Sequence, residues 1–277
     1  MSDAATSPRV MTVDTITKLD ASHRGQVVIA ASHGGEYAGY CAAKGGVRGV
    51  ILNDAGAGKD RAGIGSLRSL DALRIAAATA GHMSCRIGDG ADMREHGIVS
   101  FVNETAARVG CAAGQTVAEC AARMLAVPLS DVAVPAHAES RFVMRDTPGQ
   151  ARVIAMDSAS LIQPADAGCI VITASHGALL GGNPDKAIGP DVLAAVFNDA
   201  GVGKDRAAIS RLPALDQRGI AAATVSSDSA RIGDGRSVYE EGVLSHVNRT
   251  AAAMGVKPGM TTREFVDRVT AAATTRG

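Results

Sequence analysis

Asn53-Asp54-Ala55-Gly56-Ala57-Gly58-Lys59-Asp60 recurs as Asn198-Asp199-Ala200-Gly201-Val202-Gly203-Lys204-Asp205, 145 residues further along the chain. The match extends in both directions. Downstream, Ser84, Arg86-Ile87-Gly88-Asp89-Gly90 and Val102-Asn103 return as Ser229, Arg231-Ile232-Gly233-Asp234-Gly235 and Val247-Asn248 at the same shift. Upstream, Ala31-Ser32-His33-Gly34 returns as Ala174-Ser175-His176-Gly177, two residues closer, so the second half carries a two-residue insertion between these motifs. So many ordered matches define an internal duplication. The expected organisation is a first α/β repeat over 1–135, a linker over 136–150 and a second α/β repeat over 151–277.

Each half reads as strands alternating with helices. The runs 26–31 and 169–174 are apolar without alternation, as suits a strand covered on both faces. Both end at Ser-His-Gly and pass into an expected helical stretch. Further runs at 47–52 and 193–197 end at Asn-Asp-Ala-Gly, and those at 75–79 and 220–225 lead into the Arg-Ile-Gly-Asp-Gly loops. Gly63, Gly65 and Pro213 split the segment after Gly-Lys-Asp into two short helices. A closing helix is expected over 98–109 and 243–254. Thr116 and Thr261 then stand three residues before Glu119 and Glu264, the capping-box spacing. The fold class is therefore α/β: two tandem homologous repeats, each a mostly parallel sheet with flanking helices, related by a pseudo-twofold axis.

Ligands of such sheets bind outside the carboxyl ends of the strands, where all three shared motifs fall. His33 and His176 are expected as acid–base groups, with Asp54 and Asp199 orienting them and Ser32 and Ser175 as further catalytic candidates. Gly58, Lys59, Asp60, Arg86 and Asp89 are expected to bind substrate, with Gly203, Lys204, Asp205, Arg231 and Asp234 as their copies. Paired glycines can form an anion-binding nest, and arginine captures carboxylates in a bidentate fork. Each motif has a plain alternative: serine as a helix cap, Gly-Lys-Asp as a tight turn, Arg–Asp as an internal brace. The spacing fits neither a Walker loop nor a dinucleotide fingerprint. Cys85 faces Ala230 in the copy, which excludes a nucleophilic cysteine shared by both halves. His82, His96, His137 and His246 have no counterpart and are read as incidental.

Composition narrows the function. Lysine plus arginine and aspartate plus glutamate are both 28, and aromatic residues are 3%. Neither a basic stripe nor a stacking platform marks a nucleic-acid partner. No run of ~18 apolar residues suggests a membrane span. Met1 to Val10 has no apolar run, and five cysteines without CxxC spacing fit reduced thiols, so a cytoplasmic location is expected. No cofactor is expected; oxygen ligands from Asp54, Asp60 and Asp89 would favour Mg²⁺ if a metal were bound. The expected function is an enzyme acting on a small anionic metabolite, a carboxylate or amide, by hydrolysis. The same residues would serve a lyase or isomerase, a cytosolic ligand sensor, or a scaffold whose loops only stabilise the repeat. A homo-oligomer is compatible with all of these.

Overall fold

The computed structural model describes residues 7–274. The ends of both expected repeats, 1–6 and 275–277, and most of the segment read for a leader therefore lie outside the described residues. The fold is mixed α/β, with two mostly parallel sheets of five and six strands flanked by helices.

The first sheet contains β1 (Val10–Val13), β2 (Val27–His33), β3 (Gly49–Asn53), β4 (Ala76–Ala80) and β5 (Val99–Val102), in that spatial order. The first four are parallel, and β5 is antiparallel to β4. Its helices are α1 (Glu36–Lys44), α2 (Ser66–Ala72), α3 (Gly90–His96), α4 (Glu104–Ala107) and α5 (Val117–Met124). The second sheet runs β6 (Arg141–Arg145), β7 (Val153–Met156), β8 (Ile170–His176), β9 (Ala194–Asn198), β10 (Ala221–Val225) and β11 (Leu244–Val247). Here β7 to β10 are parallel, and the edge strands β6 and β11 are antiparallel to their neighbours. Its helices are α6 (Arg211–Gln217), α7 (Gly235–Glu241), α8 (Arg249–Ala253) and α9 (Thr262–Thr274).

The unbroken apolar runs are explained by two cores per sheet. Val27, Ile29 and Ala31 of β2 pack with Met93, Cys120 and Met124 on one face. Val28 and Ala30 pack with Ala42, Leu52 and Leu70 on the other. Alternate residues thus enter opposite layers, and both layers are dry. β4 and β10 are largely alanine, and their small side chains let helices approach the sheet closely.

Three expectations need correction. The closing helix expected over 98–109 and 243–254 is instead an edge strand, β5 or β11, followed by a short helix. The cause is an asparagine at the strand–helix corner. The Asn103 side chain accepts from Ala106 N and Ala77 N and donates to Ile75 O, capping α4 while tying it to the start of β4. Asn248 makes the matching bonds to Ala251, Ala222 and Ile220. A helix cannot extend back through a residue committed in this way. Second, the stretch 136–150 supplies β6, which pairs with β7. Third, no α-helix follows His176. Gly181, Gly182 and Pro184 divide that stretch into 3-10 turns at Leu180–Gly182 and Pro184–Lys186. Both capping boxes form as expected, at Thr116–Glu119 and Thr261–Glu264.

Asn248 is 4% exposed. Asn248→Ala strands three backbone groups, at a cost of about 3 kcal/mol. The expected result is a melting temperature lower by roughly 6–10 °C by circular dichroism; a shift below about 2 °C would mean that water replaces the side chain.

Candidate functional site

The loops that follow β3 and β9 meet backbone to backbone. Lys59 N donates to Ser227 O at 2.8 Å, and Lys204 N donates to His82 O at 2.9 Å. A Cβ on Gly58 would lie 2.9 Å from Ser227 O, and one on Gly201 would lie 3.2 Å from the Gly56 Cα. Gly58 and Gly203 also have φ of 63° and 68°, the left-handed region that suits glycine. These glycines are explained by the close approach of two chains. The Lys59 and Lys204 amide N–H groups are engaged across the junction.

The charged residues of the same loops pair across it as well. Arg86 Nη1 meets Asp205 Oδ2, and Arg231 Nη1 meets Asp60 Oδ2, both at 3.0 Å. Lys204 Nζ lies 2.9 Å from Asp92, and Lys59 Nζ lies 3.2 Å from Glu241. Arg86 also reaches Asp89 and Asp92, and Arg231 reaches Asp234. Asp89 and Asp234 additionally cap α3 and α7. All the cationic residues expected to hold substrate are thus occupied by carboxylates. Burial alone would raise the Asp92 carboxyl, but Lys204 and Arg86 outweigh it and hold it below its ordinary range. Asp54 accepts from Gly56 N, His82 N and His82 Nδ1, the last at 3.0 Å. Asp199 accepts from Gly201 N and Ser227 N. These two aspartates brace their own loops and make no bond to His33 or His176. His82, unmatched in the repeat, is a structural partner of Asp54.

His33 and His176 do come together. With Ser32 and Ser175 they line a cleft of about 250 Å³ between the two halves, bordered by Tyr37, Glu139, Arg211 and Gly233. His33 is partly buried, and His176 is 6% exposed. Each Nδ1 accepts a backbone N–H at 3.2 Å, from Gly35 for His33 and from Ala178 for His176. That bond fixes the tautomer: the proton of the neutral ring sits on Nε2. Neither Nε2 has a hydrogen-bond partner among the described residues, and neither is sealed from solvent. Both therefore open on the cleft as N–H donors. Burial pushes the His33 imidazole down to about 4. Burial, Arg211 and His33 push that of His176 well below its ordinary value.

The serines have a different task. Ser32 Oγ accepts from Ile16 N, and Ser175 Oγ accepts from Ala159 N. They anchor the turns after β1 and β7, and neither Ser32 nor Ser175 bonds to His33 or His176. Cys85 is fully buried, and burial raises its thiol to about 11, which suppresses the thiolate. Asp54, Asp60 and Asp89 do not form a metal cluster; no group of three His, Cys, Asp or Glu side chains does so among the described residues.

Two lining residues escaped the sequence reading. Arg211 is 5% exposed, and its guanidinium stacks 4.9 Å from the Phe197 ring centroid. Its Nε donates to Ala178 O at 3.0 Å. Its two Nη atoms have neither a carboxylate nor a hydrogen-bond partner among the described residues, yet they are not sealed from solvent. Arg211 lines the cleft. Burial lowers the guanidinium to about 10, so it stays charged at neutral pH. The matching position in the first half is Ser66, buried and bonded to Gly34 O. A search for residues shared by both halves passes over such a site. Glu139, from the segment expected as a linker, is half-buried; burial raises its carboxyl, while Tyr37 and Ser158 partly offset the rise.

Comparison with protein-family models, curated proteins and solved structures finds no match for this chain, so the reading of the cleft rests on its own chemistry.

Two outcomes test this geometry. Gly203→Ala places a Cβ 3.0 Å from His82 O at a left-handed φ. It is expected to destabilise the chain by about 1–3 kcal/mol in urea unfolding; a neutral variant would mean that the junction loops separate freely. The buried histidines also predict a pH dependence. Their folded values lie below the unfolded value near 6.5, so between pH 6.5 and about 4 the unfolded chain binds more protons. Stability therefore rises with pH across this window and is lost as pH falls through it. His33→Asn, which keeps an acceptor for Gly35 N, is expected to lose less stability than the parent between pH 6.5 and 4.5. Parallel melting curves for the two proteins would contradict neutral burial.

Proposed function

We propose that this chain is an enzyme acting on a small carboxylate or its amide, with one composite active site in the cleft between its halves. The observation that carries the reading is Arg211: a buried cation without a counter-ion, open to a cleft that also holds two neutral imidazole N–H donors. An unpaired buried guanidinium is costly and needs an anion to complete it. A planar carboxylate fits its fork. A volume of about 250 Å³ lies below the range of drug-sized pockets and suits a metabolite of a few carbons.

The reaction we assign is hydrolysis with water as nucleophile. Arg211 holds the substrate carboxylate. The Nε2–H groups of His33 and His176 polarise the reacting carbonyl and stabilise the oxyanion, as pre-positioned neutral donors do. Glu139 takes a proton from water as it attacks and returns it to the leaving amine, its raised carboxyl being suited to both steps. Lys59, Lys204, Arg86 and Arg231 serve to fasten the halves. The same carboxylate beside N–H donors would also suit proton abstraction next to a carbonyl. That isomerase reading would exchange substrate C–H for solvent deuterium without releasing ammonia.

We also infer that the two halves descend from one duplicated unit and face each other across a pseudo-twofold axis. The crossed pairs Arg86–Asp205 and Arg231–Asp60 support this, because each joins one motif to the copy of the other. The five free thiols fit a reducing compartment such as the cytoplasm.

His176→Ala is expected to abolish turnover of whichever small amide a screen identifies, with the fold retained by circular dichroism. Arg211→Met removes the unpaired charge at similar volume. It is expected to weaken substrate binding about a hundredfold while the melting temperature holds or rises. An Arg211→Met protein that binds normally, or that unfolds, would defeat the assignment of this arginine to substrate.

A further inference from the structure

The cleft is not an isolated pocket. At its outer end it adjoins a groove of about 450 Å³ bordered by Thr12, Asp14 and Ala91. Lys18 and Lys186 border both spaces, whereas Arg211 borders only the inner one. Lys18 closes the 3-10 turn after β1, and Lys186 ends the 3-10 turn at Pro184–Lys186, so each half contributes one. Both lysines are exposed, and neither side-chain ammonium makes an ion pair or hydrogen bond among the described residues. Lys59 and Lys204, by contrast, are both paired with carboxylates.

The nearby carboxylates Asp14 and Asp157 keep their charge, but they are held by main-chain N–H groups and neither pairs with Lys18 or Lys186 among the described residues. Asp157 Oδ1 accepts from Gly235 N, and its Oδ2 accepts from Ser140 N. Asp14 Oδ1 accepts from Gly90 N. Glu139, the proposed base, sits in the inner cleft and forms no ion pair with Lys18, Lys186 or Arg211 among the described residues. One buried cation therefore lies within the cleft, and two unpaired cations stand where it opens outward. A ligand anchored on Arg211 and long enough to reach the opening would meet a second positive site.

Resting on the proposed enzyme reading, we propose that the substrate is a dianion with a carboxylate at each end, the inner one on Arg211 and the outer one between Lys18 and Lys186. The outer pair supplies selectivity more than anchoring. Exposed lysines are hydrated point charges, worth less per contact than a buried guanidinium and sensitive to salt.

The test is calorimetric titration of the full chain with succinate, glutarate and butyrate at low ionic strength, repeated with a Lys18→Ser/Lys186→Ser variant and with Arg211→Met. The dicarboxylates are expected to bind the parent about tenfold or more tightly than butyrate, a difference of about 1.4 kcal/mol. In the double-lysine variant the preference should vanish while butyrate binding is unchanged. In Arg211→Met all three should bind weakly. Equal binding of butyrate and the dicarboxylates to the parent, still dependent on Arg211, would overturn the dianion and leave the enzyme reading intact. Retention of the preference in the double-lysine variant would also overturn it. If none of the three binds the parent, both readings fall.

Discussion

The structure depends on two glycine-containing turns that touch through their main chains. Gly56 meets Gly201, Gly58 meets Ser227 and Gly203 meets His82, and reciprocal amide bonds to Ser227 O and His82 O fix the distance between the halves. Side-chain packing would tolerate sliding; a main-chain contact near 3 Å does not. The ion pairs around it are each 36–40% exposed on the arginine side, so any one of them is worth little. As a ring around a rigid contact they act together, and their crossed pattern fixes orientation as well as distance. The cleft inherits this precision. His33 and His176 come from different sheets, and their separation is only as exact as the junction.

Much of the architecture was legible because it follows from periodicity. Unbroken apolar runs became the inner strands, the break at Gly65 fell between short helices, Pro213 instead sits in the first turn of α6, where a proline lacking its N–H is tolerated, and both threonine capping boxes formed. What failed did so for local reasons. The helices expected at 98–109 and 243–254 were lost to Asn103 and Asn248, whose side chains pin the backbone at a corner. The α-helix expected after His176 gave way to Gly181-Gly182 and Pro184, which the α1 segment of the first half lacks. The stretch from 136 to 150 has the proline- and glycine-containing composition of a linker, yet Arg141–Arg145 adds an edge strand whose pairing with β7 no local pattern announces.

The candidate site was legible in part, and the reason is instructive. Agreement between the halves selects residues needed twice. It therefore favours whatever holds the halves together, and the Gly-Lys-Asp and Arg-Ile-Gly-Asp loops are the clearest case. The paired histidines pass the same filter because each half offers one to a common space. Arg211 does not pass it, since its counterpart is Ser66, and Glu139 lies outside the repeated register altogether. If the two halves are related as proposed above, a single cleft between them needs residues that the halves do not share to hold an asymmetric ligand. The positions where the copies disagree are then the ones to inspect: a large change in charge at a buried position, such as serine to arginine, was visible in the sequence as a mismatch.

The local chemistry around Arg211 argues that this mismatch is functional. The guanidinium is over nine-tenths buried, keeps its charge, and receives only a carbonyl oxygen and an aromatic face from the protein. Several arginines elsewhere in the chain are instead paired with carboxylates. Arg141 is bound by Asp166, Arg145 by Asp267 and Arg218 by Asp191. A buried charge left without its counter-ion weakens the fold, and a methionine or leucine would fill the same space without that cost. Such a defect is tolerated where something outside the chain completes it. Its setting narrows what that is. Beside it stand two imidazoles whose Nδ1 atoms accept main-chain N–H groups, which leaves Nε2–H as the donor of each neutral ring. On the reading proposed above, the partner that completes Arg211 is a hydrogen-bond acceptor carrying negative charge.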